Sequence, residues 1–462
     1  MNQPTNPNDR RRLSRRTLLA GAGGAMAAGL FAANGGIASA RQPSLARSVA
    51  RAGLRPRSGD APTLSQWYHT YGEEGVQDAV NGYAAAYPDA DVSVEWVPDP
   101  YESTVTSALL TDDAPDVFEY GNGPTIDMIQ AGQVLPLDGI LGDAESDFNP
   151  TLLERLTYDG HLWGVPQLLD MQVLIYRKSL LEDAGITPPT TLDELIAAAA
   201  ALTTGDTKGL FLGNDGGAGV LAGVPLWSAG ADYLTADNEF GFATDAVYAS
   251  FAKLQEIYQS DSLLLGAPTE WHSPGAFISE LTAMQWTGLW TFPEILASGI
   301  GDDFGVLPWP KLDSSSGSQS VPFGGFASTV SATSADPDAA IAFVKWLWVD
   351  QTESQLDFAT SYGFHVPVRA SLQEAAETLS SGPAAEAVTV LNDFGFAQNP
   401  ILWSAASATA YDDARARIIT EGADPAEEIA KVQEVTEAEL ERIGAGSSPG
   451  SVPGSEAPAT TG

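Results

Sequence analysis

The first folded segment of the chain is marked by the spacing of its apolar residues. Val76, Ala79, Val80, Tyr83, Ala84 and Tyr87 recur at i, i+3, i+4, i+7, i+8 and i+11, one buried face of a helix that Pro88 ends. Before it, residues 63–68 read as a short strand, and after it Val92, Val94 and Trp96 alternate as a second. A helix over 104–110 precedes a third strand over 115–118, which runs out into a loop over 119–123. Strands alternating with helices in this way predict a parallel doubly wound sheet, with ligands beyond the carboxyl ends of its strands.

A second pattern centres on residues 160–195. Val173-Leu174-Ile175-Tyr176 is a strand apolar on both faces, hence buried on both. A short helix over 179–184 stops at Gly185, and Pro188-Pro189 blocks its continuation. Thr191 with Glu194 forms a capping box, and Leu192, Leu195, Ile196, Ala199 and Leu202 make the apolar face behind it. Asp170 stands just before the strand, where its carboxylate can reach into a cleft. Further on, Val247, Phe251, Leu254 and Tyr258 share one side of a helix over 246–258. Asp336-Pro337 opens another, with Ala340, Phe343, Val344, Leu347 and Trp348 as its core stripe.

These blocks, in this order, resemble the extracellular solute-binding proteins of ABC importers, in the carbohydrate-binding, maltose-binding-protein-like group. The resemblance rests on Pro115-Asp116-Val117, on Gly132 to Asp138, and on the 160–195 stretch with its Leu174-Ile175-Tyr176. It continues through Phe277 to Trp290, with Leu281 near the place of a family glycine, then through 304–308, 321–327 and 364–369. The fold it implies is α/β and periplasmic-binding-protein-like: two doubly wound lobes joined by a multi-crossing hinge. The expected N-terminal lobe is 62–175 with 285–326, and the C-terminal lobe 176–284 with 327–443. About 400 residues beyond the leader already exceed one ordinary core.

A sugar presents flat C–H patches, which suit aromatic faces, and a girdle of hydroxyls, which suit carboxylates and amides. By the resemblance, Tyr120, Trp290 and Trp403 stand where ligand-stacking aromatics stand, and Asp170 where an acid binds hydroxyls. Trp227, in a turn-rich segment, is a further candidate, while Trp163, Trp346 and Trp348 read as core. Tyr71, Glu73 and Glu74 open the first helix, in a loop that reaches the ligand in the family. Asn122 lies in the loop after the third strand, and Gly324-Gly325 allow close backbone approach or hinge flexing. The implied mechanism is closure of two lobes over a neutral sugar or oligosaccharide, handed unchanged to the importer's transmembrane subunits. No catalytic residue, cofactor or metal is expected, and the chain is expected to act as a monomer.

Composition narrows the alternatives. Arg10-Arg11-Arg12 and Arg15-Arg16, a Gly/Ala-rich apolar run, and Ala38-Ser39-Ala40 read as a twin-arginine signal over 1–40, with a polar linker over 41–61. A Gly/Ser/Pro/Thr tail over 444–462 reads as disordered. The expected location is therefore periplasmic or extracellular, and with no cysteine the chain cannot carry a lipidated one. Ten of the 22 Lys and Arg lie before Ser58 against a single acid, Asp9. Residues 58–462 thus hold 12 basic and 59 acidic side chains, a formal −47. Such a surface repels nucleic acid and anionic lipid. An anionic ligand would call for a cluster of Arg and Lys, and none is visible. The four histidines are scattered. Residues 143–154 have EF-hand spacing but put Phe148 where glycine is needed, so they read as an acidic solvated loop. The other function class in play is a secreted carbohydrate-active enzyme with a carboxylate pair.

Overall fold

A computed structural model describes residues 61–445. The expected signal, most of the linker and nearly all of the tail lie outside them. The strands, in chain order, are β1 (Thr63–His69), β2 (Asp91–Val97), β3 (Val117–Gly121), β4 (Thr157–Tyr158), β5 (His161–Leu162), β6 (Val165–Pro166), β7 (Asp170–Arg177), β8 (Met284–Gly288), β9 (Phe304–Leu307), β10 (Val321–Gly324), β11 (Phe326–Val330) and β12 (Gly395–Ala397). They form two five-stranded sheets and a small β4–β5 ribbon.

The first sheet has the order β2-β1-β3-β11-β6. Its β1 is parallel to β2 and β3, while β11 runs antiparallel to β3 and β6. The helix Val76–Ala86 buries Val76, Ala79, Val80, Tyr83 and Ala84, the stripe its period requires. It starts later than expected, because Gly75 takes the left-handed conformation at φ 95° and caps it. Glu73 and Glu74 therefore sit in the preceding turn rather than in the first helical turn. The third strand continues through Gly121, since β11 pairs along it, Ala327 opposite Tyr120 and Ser328 opposite Glu119. The expected loop over 119–123 shrinks to a tight turn at Asn122 and Gly123, both at positive φ.

The second sheet has the order β12-β10-β7-β8, with β9 also on β7. Here β7 is antiparallel to β8, β9 and β10, so this sheet is mixed rather than doubly wound. Parallel pairing is confined to β10 with β12 and to single bridges such as Lys208 with Thr282, Leu210 with Leu263, and Phe211 with Gln285. The core strand is buried on both faces as expected. Val173 and Ile175 join the core that reaches the first sheet, and Leu174 the second core. The capping box at Thr191 and Glu194 is formed, and the helix Leu192–Leu202 buries Leu192, Leu195, Ala198, Ala199 and Leu202. Ile196 lies partly outside that stripe.

Strand pairing groups the chain differently from the expected lobes. Strands β8 and β9 hydrogen-bond to β7, which brings 284–307 into the second sheet. Strand β11 pairs with β3, and Phe343, Val344 and Phe358 pack in the core of Leu64 and Val80, which brings 326–360 to the first. The physical reason is that β7 exposes hydrogen-bonding edges on both sides. Its apolar pattern fixes burial but not which later strand fills each edge. No helix among the described residues is long and apolar enough to cross a membrane.

Candidate functional site

The two sheets meet where the chain crosses between them, at Asp170 and at Gly324-Gly325. Gly324 lies opposite Asp170 in the β7–β10 pair, and one residue later the chain enters β11 of the first sheet. Gly325, at φ 156°, has the Leu168 carbonyl oxygen 2.0 Å from where a Cβ would stand. A side chain there would collide with backbone, so glycine is required at this crossing.

An acid–imidazole cluster sits beside the crossing. His69 ends β1, and its Nδ1 lies 2.5 Å from Glu119 Oε1 on the neighbouring strand. The His69 backbone N–H also donates to Glu119 at 2.9 Å, as does the Tyr71 hydroxyl at 2.9 Å. Glu119 is fully buried, so these donors replace its water. The buried His365 hydrogen-bonds Asp170 through Nδ1 and places Nε2 3.4 Å from Glu73 Oε1. Burial opposes its charge, but the Asp170 and Glu73 carboxylates outweigh burial and lift its pKa to about 10. The same contest, with Glu119 as the main counter-charge, raises His69. Burial, then Glu119, holds the Tyr71 hydroxyl well above its ordinary range. Phe326 stacks on His69 with ring centres 4.4 Å apart, closing the cluster against β11.

Phe326 also lines a narrow cavity. Its walls come from both sheets and the helix Pro150–Arg155, with Asn122, Arg155, Gly324, Gly325, Phe326 and Gln398 among the lining. Asn122 is pinned there: its backbone N–H donates to the Gly325 carbonyl at 2.7 Å, and its Oδ1 accepts from Gly325 N–H at 3.3 Å. Trp290 follows β8, and the β7–β8 register (Gln172 opposite Gly288) puts it at the same end of the sheet as Asp170. Its ring folds over Gly288, whose missing Cβ leaves the room, and its indole N–H donates to the His272 carbonyl at 3.0 Å. Trp271 meets it edge-on.

The structure thus gathers Tyr71, Glu73, Asn122, Asp170, Gly324 and Gly325 around one crossing, with Trp290 at the adjoining strand end. Others are not gathered. Trp227 is fully buried in the second core, stacked on Phe396 and bonded to Asp232. Trp403 is buried in the same core against Tyr233 and Tyr411. Tyr120 faces inward from β3, not into a loop, and packs with Phe118 and Met128. Glu74 is exposed. Sequence reasoning missed His69, Glu119, His365, Phe326 and Arg155. A polar residue at the carboxyl end of a parallel strand is the signal that could have found His69 and Glu119.

Residues 67–350 match the family described as bacterial extracellular solute-binding protein, and the chain belongs to that family. A binding protein of Brucella abortus is 30% identical over 40% of this chain, and the match spans 47% of that protein's length. The diacetylchitobiose-binding protein DasA of Streptomyces coelicolor is 26% identical over 62% of this chain and 67% of its own. Among solved structures, the GacH receptor of Streptomyces glaucescens superposes with a TM-score of 0.71 at 25% identity, covering 82% of this chain and 99% of that one. The fold is that of the periplasmic binding proteins.

Proposed function

We propose that the chain is the ligand-capturing component of an ABC importer, exported by the twin-arginine route, which takes a sugar or oligosaccharide and delivers it unchanged to the membrane subunits. The observation that carries this reading is the convergence at one inter-sheet crossing of carboxylates, amide and glycine backbone from both sheets. Asp170 and Glu73 accept from hydroxyls, and Trp290 offers an aromatic wall at the neighbouring strand end. The ligands of the relatives point the same way: diacetylchitobiose for DasA, acarbose and a homologue for GacH. The lobes in this reading follow the sheets, hinging at 169–170 and 324–325. Nothing favours the enzyme alternative: Glu119 is sealed beneath three donor contacts, and Asp170 is held by His365.

Thermal unfolding with a panel of mono- and oligosaccharides tests it. A ligand at about a hundredfold its Kd adds about 2.7 kcal/mol to the folded state. A bound sugar is expected to raise the midpoint without release of new reducing ends. Trp290→Ala is expected to abolish that rise while the unliganded midpoint stays within a few degrees of wild type. A shift that survives Trp290→Ala places the ligand elsewhere; reducing ends released from a bound oligosaccharide make the chain an enzyme.

A further inference from the structure

Arg155 ends the helix Pro150–Arg155 and lines the cavity between the sheets. Its Nε and Nη1 are shut off from water, and no protein acceptor meets them. Every other arginine among the described residues has a carboxylate. Arg177 meets Asp303 and Arg369 meets Asp147, each at 2.8 Å. Arg415 meets Asp412 at 2.9 Å, Arg417 meets Glu428 at 2.7 Å, and Arg442 meets Asp127 at 2.6 Å. In so acidic a chain a partner for Arg155 was the easiest thing to supply, yet none stands there. Burial alone acts on its guanidinium, pushing the pKa down to about 10. Helix capping does not account for it either, since the guanidinium donates to no helix carbonyl.

A part-buried cation with two nitrogens sealed from water and no counter-charge destabilises the protein that carries it. Such a cost is tolerated where a ligand relieves it. The cavity has room for about one water-sized group, enough to admit a carboxylate oxygen but not a sugar ring. Asn122 and Gln398 bring amides to the same space. Neutral hydroxyls would leave the charge uncompensated, and a dianionic phosphate would need a second cation that the lining lacks. A single carboxylate fits the guanidinium fork with two parallel hydrogen bonds.

We propose that Arg155 recognises the carboxylate of an acidic sugar, a uronic acid residue of an oligosaccharide whose hydroxyls lie toward Asp170 and Glu73. This rests on the sugar-binding reading above and names the class of sugar. One buried fork does the work for which the sequence pattern called for a cluster of bases, because burial strengthens a single pair.

The test uses the full chain without its leader, titrated calorimetrically with oligogalacturonates and glucuronate-bearing oligosaccharides, each beside its uncharged methyl ester. The free acid is expected to bind at least about thirtyfold more tightly than its ester, the lower range for losing one side of a buried charge pair. Arg155→Met is expected to erase that preference and Arg155→Lys to keep part of it. Without ligand, Arg155→Met is expected to unfold at or above the wild-type midpoint, since it removes an unpaired charge. Esters or neutral sugars that bind as tightly as the acids overturn the proposal while leaving the sugar-binding reading standing. So does a preference that survives Arg155→Met, or a lowered unliganded midpoint, which would make Arg155 structural. If no sugar of either kind binds, the reading beneath it falls as well.

Discussion

His365 keeps a charge that its burial alone would remove. Its pKa stands near 10 instead of 6.5, because Asp170 and Glu73 face it from the crossing and from the turn before the first helix. A raised folded-state pKa contributes stability that is complete below pH 6.5 and is lost as pH rises through about 10. The reverse holds for Glu73, whose carboxyl His365 holds below its ordinary value despite burial; its contribution fades as the solution becomes acid. Between pH 6.5 and 10 the wild-type protein is therefore expected to lose a few kcal/mol that His365→Gln does not lose. His69, raised in the same direction by Glu119, keeps part of the slope in that variant. Denaturant midpoints of both proteins across this range measure the difference. Parallel curves would mean that His365 carries no charge in the folded state.

Between elements, the helix Ile126–Gln130 is tied to the C-terminal helix Pro425–Ile443. Asp127 meets Arg442 at 2.6 Å and accepts from the Ala405 backbone N–H at 2.9 Å, and Gln130 donates to the Ile443 carbonyl at 3.1 Å. Beside these, Ile126, Leu440 and Ile443 form a small buried cluster. The first helix packs with β3 through Met128, while the second packs into the other core through Ile429 and Val432. The contact thus joins material from both sheets, so breaking it is expected to let them part. The exposed ion pair is worth at most about 1 kcal/mol, so the apolar part dominates. Leu440→Ala is expected to enlarge the unliganded protein in small-angle scattering and to weaken ligand binding about tenfold or more, as a lost buried leucine implies. Unchanged scattering would show that this contact does not set closure. None of this tie was legible in the sequence, since its partners lie 278 to 315 residues apart. The parallel part of the first sheet, β1 to β3, was legible, because Val76 to Tyr87 and Val92 to Trp96 carry their period locally. The crossing at Asp170 was legible too, from one doubly apolar strand. The partners of that strand depended on which distant strand filled each edge of β7, and the burial of Trp227 and Trp403 on residues far along the chain, Phe396 and Tyr233. An indole placed by a turn-rich segment looks the same in sequence whether it faces a ligand or a core.

Over the whole molecule, the 12 basic and 59 acidic side chains of residues 58–462 give the protein a negative field. That field has two consequences, one for stability and one for capture, and salt relieves both. Self-repulsion destabilises the compact state, so the unliganded unfolding midpoint is expected to rise with salt as the screening length falls from about 30 Å at 0.01 M to about 3 Å at 1 M. A midpoint indifferent to molar salt would show the acids to be spaced widely enough not to interact. For capture, the field repels any ligand bearing a carboxylate until it reaches Arg155, where burial shields the pair from ions. Raising salt is therefore expected to speed association of a uronate-bearing oligosaccharide while leaving its dissociation rate nearly unchanged. Its methyl ester should associate at a rate that salt does not alter. Stopped-flow tryptophan fluorescence at several salt concentrations separates the two, with Trp290 and Trp271 near the crossing as reporters. An association rate for the acid that falls with salt would mean that the ligand is drawn in by positive potential, and the described residues offer only Arg155, part-buried, to supply it beside this cavity.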